Sequence, residues 1–433
     1  MPPLRPTGLR AWRLPLPYVD WRRAGGHGRD KMPDVNNAAA LDARAGSGGA
    51  GARGLRTDFD HIGLLALIGV AGALQFSIAV AQILLGLAIV CWVAQLVAGR
   101  ERFAVPGFFW PLALYALLTL VSASFSLNPR ASFVDSKQLV LFLIVPVVYR
   151  FVSGTRGFTL MTVIVTFAAV SAAFGIFQYG ILHYDNLGQR PQGTLGHWMT
   201  YSGLLMLVFA IALARVLFGR GERTWAALVI PALVVAVAVT FTRGAMIGVC
   251  AAAAVLFALK DFRLFALAPL FVAIFVALAP GQIFQRFASI FDRKNPTNMD
   301  RMAMLGEGER MIRAHPLTGV GPSMVQRLYT EYRGNDAVNA INPHLHNVPL
   351  QIAAERGLPA LLAWAWFIGA VIADLWRRFS RSDSRFLPAA GLACVTALLV
   401  AGLFEYNFGD SEVLMLFLIV VTLPAAAERI SGS

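Results

Sequence analysis

The sequence has little charge and almost no cysteine, and both shortages narrow its class. Only 14% of its 433 residues are charged, whereas soluble globular proteins average about 25%. The three cysteines, Cys91, Cys250 and Cys394, are odd in number, far apart and set within apolar runs. They are typical of packing residues, and no disulfide framework is expected. These shortages favour a protein of the lipid bilayer.

Several catalytic signatures are also missing. The sequence has no Gly-x-Ser-x-Gly elbow, no Walker loop and no dinucleotide-binding fingerprint, so a Ser-His-Asp hydrolase or a nucleotide-dependent enzyme is not supported. The net charge of +13 does not imply a nucleic-acid partner, because cytoplasmic loops of membrane proteins collect Lys and Arg.

Long apolar segments are abundant: 57% of the chain is hydrophobic. Open sheet edges cannot face lipid, so every spanning segment is expected to be a helix. Twelve segments have a spanning length, about 17–23 residues each. They lie at 61–77, 79–98, 108–125, 134–150, 158–180, 199–217, 224–241, 244–259, 262–280, 358–376, 386–405 and 411–428.

Basic residues give this bundle an orientation. Fourteen Lys and Arg fall in the loops on one side, but the short loops on the other side hold only Arg130, Lys137, Arg190 and Arg243. The positive-inside rule then predicts that both termini are cytoplasmic. The fold class predicted is an all-α polytopic membrane protein of about 12 transmembrane helices.

Four regions follow from this topology. Residues 1–57 are predicted to be a disordered basic cytoplasmic tail, and 58–280 to form helices 1–9. Residues 281–357 are expected to form a large, partly helical catalytic loop on the outer, periplasmic side, and 358–433 to hold helices 10–12 and a cytoplasmic C-terminus.

The outer loop carries helix signals of its own. Asp300 is a candidate cap for a helix from about 301 to 314, stopped by His315-Pro316. Residues 316–322 are typical of a turn, after which Pro322 suits the first turn of a second helix. On that helix Val325, Leu328, Tyr329 and Tyr332 form a stripe expected to face the membrane or the bundle.

A polar stretch at 342–357 closes the loop. Asn347 is a good helix cap, Pro349 fits a first turn, and Gly357 followed by Pro359 favours a helix end. His346 then immediately precedes a helix N-terminus, where the positive end of the dipole disfavours imidazolium. A neutral His346 that accepts a proton is therefore expected.

Three arginines also lie on the outer side. Arg243 lies between two spans with almost no loop; a snorkelling interfacial arginine is its plainer interpretation. Arg190 is in a turn-rich loop, where a solvated arginine is equally ordinary. Arg301 is expected in the first turn of the loop helix, a poor place for a cation unless an anion binds there. Guanidinium groups bind phosphate oxygens bidentately, so the set favours a pyrophosphate site.

Two rival interpretations remain. His344 and His346 resemble a metal-ligand pair, but a site needs three or four ligands, and Glu331, Asp336 and Asp410 have no motif spacing. A transporter would place ionisable groups near the bilayer midplane. Here the polar chemistry lies on one face, with Glu405 and Asp410 at the outer end of their spans.

From about residue 60 to 430 the chain resembles the O-antigen ligases, within the ligase/polymerase superfamily of polytopic, GT-C-like glycosyltransferases. The most specific match is His346-Asn347, nine residues, then Gly357. The family pattern ends in Gly, Thr or Tyr where this chain has Ala360. Arg243 in Thr-Arg-Gly looks like the essential arginine between spans seven and eight. Arg301 is similar to the loop-helix arginine, and Arg190 to a further basic position.

The resemblance implies transfer of a polysaccharide from undecaprenyl pyrophosphate to a sugar hydroxyl of lipid A–core, in lipopolysaccharide biosynthesis. It implies no metal or other cofactor, inversion at the anomeric carbon, and a multi-pass protein of the bacterial inner membrane. Arg190, Arg243 and Arg301 would bind the diphosphate and His346 would act as base. Asn347, His344 and Gly357 would support the site. The same architecture serves O-antigen polymerases and protein O-oligosaccharyltransferases, so these remain alternatives, as does a lipid or solute transporter.

Overall fold

The computed structural model describes residues 58–99, 101–267, 269, 281, 285, 289, 292, 294–335 and 337–429. Within these residues the chain is helical and contains no strand. The predicted basic tail at 1–57 and most of the predicted ninth span, 262–280, lie outside the described residues. The all-α prediction is confirmed for the rest.

The helices before the loop region follow the apolar segments closely. The first, α1, covers residues 58–73 and is separated from the second by a tight turn at 74–77. The others are α2 (Ile78–Val97), α3 (Phe109–Ser124), α4 (Pro129–Asp135), α5 (Ile144–Phe151), α6 (Arg156–Gly180), α7 (Trp198–Phe218), α8 (Arg223–Val239) and α9 (Arg243–Lys260), with 3₁₀ segments at Ser136–Leu143 and Phe262–Leu267.

Five helices follow: α10 (Pro296–Ala314), α11 (Val325–Tyr332), α12 (Val348–Arg381), α13 (Phe386–Gly402) and α14 (Ser411–Ala427). Across the described residues, six helical segments are long and apolar enough to cross a membrane, and four more apolar helices have 16 or 17 residues. The chain is therefore a polytopic membrane protein.

The bundle is built around α7, which packs against α8, α9, α13 and α14. Its neighbour α13 packs most extensively on α9, and α12 lies along α3. Apolar side chains from these helices form one continuous core. This packing brings the start of α9, the start of α12 and the segment after α13 to the same end of the bundle.

The loop region has its own small hydrophobic core. The predicted stripe on the second loop helix packs there, separately from the main core and together with Leu350 and Ala354 of α12. Val325 and Tyr329 are buried, and the stripe packs on Met304 and Met311 of α10. That helix, α11, begins at Val325, so the predicted place for Pro322 in its first turn was wrong. The two loop helices thus bury apolar side chains against each other and against the start of α12.

The last predicted boundary, a helix end at Gly357, is confirmed. The segment α12 runs from Val348 to Arg381, but Gly357, with φ 81° and ψ 168°, is not helical and divides it into two helical halves. The 316–321 turn fills the break. Val320 and Gly321 donate backbone hydrogen bonds to Ala354 and Glu355 (both 2.9 Å), and Leu358 donates one back to Pro316 (2.9 Å). Carbonyls that the break would leave unpaired are thereby satisfied.

Candidate active site

Three charged or titratable side chains form a hydrogen-bonded chain at the end of the bundle. Arg301 Nη2 donates to Glu405 Oε1 at 2.8 Å, and Glu405 Oε2 lies 3.1 Å from His346 Nδ1. The side chains are 20%, 13% and 19% exposed, respectively. A ligand from outside can therefore reach them, while much of their surroundings is protein.

The start of α12 holds His346 in place. Asn347 caps the helix, as predicted, by accepting a hydrogen bond from Leu350 N at 2.9 Å. Its Nδ2 also donates to the carbonyl of Leu403 at 3.2 Å, two residues before Glu405. One side chain thus fixes both the histidine and the segment that carries its carboxylate partner. His346 itself has a left-handed backbone, φ 49°, which is rare for residues other than glycine.

Arg301 lies at a different position on the loop helix from the one predicted. The loop helix begins at Pro296 with Asn295 as its cap, so Arg301 is in the second turn and the predicted first-turn position was wrong. Asp300 is not the cap either. Its carboxylate accepts hydrogen bonds from Asn339 N (3.0 Å), Asn339 Nδ2 (2.7 Å) and Asn342 Nδ2 (3.1 Å). Asp300 therefore orders the segment leading to His346, and Arg301 faces Glu405.

Arg243 lies at the first position of α9 and is only 4% exposed. Its Nη1 donates to the carbonyl of Ser289 at 3.0 Å. The next residue, Gly244, packs directly on Glu405: a Cβ at Gly244 would lie 2.8 Å from Glu405 Cγ. The start of α9 and the Arg301–Glu405–His346 chain are thus immediate neighbours, and Arg243 adds its charge beside them.

Arg190 has a more local setting. Its Nε donates to the carbonyl of Leu187 at 3.0 Å, and its guanidinium lies 4.9 Å from the centroid of the Trp198 ring. These contacts tie Arg190 to its own loop. The link to the site is indirect: His197, stacked on Trp198, lines the same hollow as His344 and Glu405.

His344 lies beside His346, with 4.1 Å between the ring centroids. Burial, followed by the proximity of His346, lowers the pKa of His344 to about 4. His344 is therefore neutral at physiological pH and packs as an uncharged ring. Among the described residues no group of three His, Cys, Asp or Glu side chains is arranged to hold a metal ion.

The Glu405 carboxyl is held in its charged form. Burial acts to raise its pKa, but the hydrogen bond with His346 and the charge of Arg301 outweigh burial, and the pKa lies below its usual value. A carboxylate that faces Nδ1 favours the tautomer with the proton on Nδ1. The lone pair of Nε2 is then available to accept a proton.

Gly357 and Ala360 have structural roles in α12 and are not among the charged and titratable side chains of the site. A Cβ at Gly357 would lie 2.2 Å from the carbonyl oxygen of Leu317, so glycine is needed for the turn to dock. Ala360 is fully buried. Both lie in the helix that begins beside His346, and their contribution is to the shape of α12.

Glu405 is the main residue that the sequence did not indicate as part of the site. It was noted only as an acid at the outer end of a span. The predicted topology was the one indication that Glu405 belongs to the site, because it put Glu405, Arg243 and the 342–357 stretch on the same side of the membrane. Nothing in the local sequence marks it as the partner of His346.

Comparison with known families agrees with this geometry. Residues 226–365 match the family model described as O-antigen ligase, and no curated protein matches the chain. The matched region extends from α8 into α12 and contains Arg243, Arg301 and His346. Residues 226–365 therefore support membership of the chain in the O-antigen ligase family.

Proposed function

We propose that the protein is an O-antigen ligase. It transfers a glycan from undecaprenyl pyrophosphate to a hydroxyl of lipid A–core at the periplasmic face of the inner membrane, by an inverting and metal-independent reaction. The hydrogen-bonded chain Arg301–Glu405–His346 is the observation that carries this proposal. In the proposed mechanism these three residues serve as a cation, a carboxylate partner and the general base, and their contacts in one partly open position support that assignment.

The proposal includes the topology. Eleven of the twelve predicted spans coincide with helical segments of the described chain, and most of the remaining one, the ninth (262–280), lies outside the described residues. With both termini cytoplasmic, the loop region 281–357, the start of α9 and the end of α13 face the periplasm. Donor and acceptor glycans both extend from the membrane on that side, which suits transfer without transport.

His346 acts on the acceptor. With Nδ1–H donated to Glu405, Nε2 takes the proton of the attacking hydroxyl while its oxygen forms a bond to the anomeric carbon. The bond from that carbon to the pyrophosphate oxygen breaks, and its electron pair leaves with the pyrophosphate. Attack opposite to the leaving group inverts the anomeric carbon. Glu405 stabilises the imidazolium, as the carboxylate does in a Ser-His-Asp triad.

The arginines act on the donor. Negative charge builds on the pyrophosphate oxygens as the glycosyl bond breaks, and fixed cations stabilise that charge. Arg243 adds the positive end of α9 to its guanidinium, because it is the first residue of that helix. Arg301 keeps one nitrogen on Glu405 and has others for phosphate oxygens. Arg190 is a secondary diphosphate ligand in this scheme.

Reconstitution tests the proposal directly. Purified protein is mixed with undecaprenyl-pyrophosphate glycan and rough lipopolysaccharide in EDTA, and the product is resolved by gel and mass spectrometry. Glycan on lipid A–core is the expected result. Chain extension on a second lipid-linked glycan would instead identify a polymerase, and glycan on Ser or Thr a protein glycosyltransferase. Substrate uptake without any transfer would identify a transporter.

Variants test the residue roles in the same assay. His346→Ala removes the base and is expected to lower the rate about 10²–10⁴-fold, with a smaller loss for His344→Ala. Arg301→Ala is expected to abolish transfer in folded protein. Arg313→Ala is the matched control, since Arg313 is on the same helix and 75% exposed. Near-normal transfer by His346→Ala or Arg301→Ala would refute the assigned roles.

A further inference from the structure

A hollow far from the candidate active site carries polar groups that the proposed reaction does not use. Its volume is about 360 Å³, within the range of about 300–1,000 Å³ that holds small-molecule ligands. It lies between α6 and the loop that joins α7 to α8, and is called the threonine hollow below. Its wall consists of Thr155, Phe158, Thr159, Thr162, Val163, Thr166, Phe167, Arg215 and Glu222.

The helix α7 fixes the level of the threonine hollow in the membrane. His197, which lines the hollow beside Glu405, immediately precedes α7, whereas Arg215 lies in the last turn of α7. A helix of 21 residues rises about 31 Å, which is close to the thickness of the hydrocarbon core of a bilayer. The two hollows therefore lie at opposite membrane faces. In the proposed topology the threonine hollow is at the cytoplasmic face, at the depth of lipid headgroups.

An ion pair supplies both signs of charge to the wall. Arg215 Nη2 donates to Glu222 Oε2 at 2.8 Å, and Arg215 Nη1 donates to the Thr162 hydroxyl at 2.9 Å. The arginine side chain is 7% exposed, whereas the glutamate side chain is 51% exposed. Glu222 has a left-handed backbone, φ 54°, which is rare for residues other than glycine. The loop thus holds a carboxylate beside a buried guanidinium at the edge of the hollow.

Both members of this pair keep capacity for a ligand. A guanidinium has five N–H groups. The contacts described for Arg215 use four acceptors: Glu222, Thr162 and the carbonyls of Gly221 and Phe158. One N–H of Arg215 and the second carboxylate oxygen of Glu222 are then available to a bound molecule.

A row of threonine hydroxyls extends the polar surface along α6. Thr155, Thr159, Thr162 and Thr166 are four, three and four residues apart, the spacing of one helix face. Thr162 binds Arg215, and Thr166 accepts a hydrogen bond from Trp225 Nε1 at 3.1 Å. Within the described part of the chain the hydroxyls of Thr155 and Thr159 make no hydrogen bond, and both residues are exposed. Helix packing therefore accounts for two of the four hydroxyls.

The surface around the threonine hollow is apolar. Phe167, Trp225 and Leu228 are 43%, 41% and 69% exposed, and in a bilayer side chains on this surface contact lipid. Tryptophan is also enriched at the membrane–water interface. A molecule that fits here has a polar end for the ion pair and the threonines, and an apolar part that lies along α6 and α8.

We propose that the threonine hollow binds a phospholipid with a phosphoethanolamine headgroup. The phosphate accepts hydrogen bonds from Arg215 and from the threonine hydroxyls, and the ammonium donates to Glu222. Adjacent opposite charges match a zwitterion in which two carbon atoms separate the phosphate ester from the ammonium. A purely anionic headgroup offers nothing to Glu222, and a quaternary ammonium has no N–H to donate. This binding site is independent of the proposed ligase reaction.

Lipid retention tests the proposal. Full-length protein is stripped of lipid in detergent and mixed with equal amounts of phosphatidylethanolamine, phosphatidylcholine and phosphatidylglycerol that have the same acyl chains. Bound lipid is then identified by native mass spectrometry. Phosphatidylethanolamine is expected at about fivefold higher occupancy than either competitor, the scale of a half-exposed ion pair. Equal occupancy by the three lipids, or a preference for phosphatidylglycerol, would overturn the proposal.

A substitution of the carboxylate tests the headgroup assignment. Glu222→Gln removes the charge that faces the ammonium, while its side-chain carbonyl still accepts from Arg215. The preference for phosphatidylethanolamine over phosphatidylcholine is expected to disappear. Glu428→Gln is the matched control, because Glu428 is 50% exposed and also pairs with an arginine in the last turn of a span, Arg378. A preference that survives Glu222→Gln, or that is lost equally in Glu428→Gln, would contradict the assignment.

A substitution that fills the threonine hollow tests its location. Val163→Trp places a large side chain in the wall and is expected to abolish selective retention of phosphatidylethanolamine. Val170→Trp is the control, since Val170 lies seven residues further along α6, is 57% exposed and does not line the hollow. Undiminished fivefold selectivity in folded Val163→Trp protein would show that the lipid binds elsewhere and would refute the site.

Discussion

Replacement of Glu405 by glutamine tests the centre of the proposed site with almost no change of shape. The glutamine carbonyl can still accept the hydrogen bond from Arg301, which is 2.8 Å long in the native protein. Its amide NH₂ then faces His346 Nδ1, where the carboxylate now lies at 3.1 Å. Two N–H donors cannot pair, so the histidine proton moves to Nε2.

That shift removes the lone pair that takes the acceptor proton. General base catalysis contributes about 10²–10⁴-fold, equivalent to about 2.7–5.4 kcal/mol of activation free energy at about 1.36 kcal/mol per tenfold. The variant is therefore expected to lose about 10²–10⁴-fold in kcat, with the donor KM little changed. Because Glu405 acts through His346, it is a positioning residue.

The measurement is initial-rate glycan transfer at saturating and subsaturating donor. Glu309→Gln is the matched control, since Glu309 is 60% exposed and pairs only with Arg313 one turn along α10 among the contacts described. Glu405→Asp retains the charge and should recover part of the rate. A kcat for Glu405→Gln within about tenfold of wild type would refute the reasoning, because tautomer control would then contribute less than general base catalysis requires.

Three further predictions concern stability, measured by thermal unfolding in detergent. Burial raises the pKa of the Glu307 carboxyl from its ordinary value of 4.5 to about 7. The stability contributed by the neutral carboxyl is full below the unfolded pKa and is lost as the pH rises through about 7. Glu307→Gln is therefore expected to stabilise the protein at pH 8 but not at pH 4. Gly357→Ala should lower stability by about 1–3 kcal/mol or more, because of the contact with Leu317, whereas Gly369→Ala in the same helix meets open space and should not. Asn347→Ala should cost about 1 kcal/mol as a lost cap; unchanged melting temperatures in these variants would contradict the roles assigned to the contacts.

The bundle was predictable because lipid imposes a simple rule. Every spanning segment must satisfy its own backbone, so apolar length alone locates helices. The helix stop before Pro316 and the cap at Asn347 were also predictable from the sequence, because Pro and Asn act through local geometry. These features depend on residues within one helical turn of each other.

The loop region was harder to predict, since its contacts are distant in sequence. Asp300 looks like a helix cap, but Asn295 takes that role and Asp300 binds residues near 339, which no local pattern reveals. The pairing of Glu405 with His346 spans 59 positions. Gly357 ends the first half of α12 as the sequence indicates, but the docking of the 316–321 turn into this break could not be predicted from local sequence.

The docking of that turn has a consequence for recombination between family members. Backbone hydrogen bonds join residues 316–321 to α12 at the break at Gly357. The loop and the span are therefore not structurally independent at their boundary. A chimaera that exchanges the loop but keeps its own α12 would combine a foreign turn with a native helix break. The unit that can be exchanged therefore includes the start of α12 together with the loop.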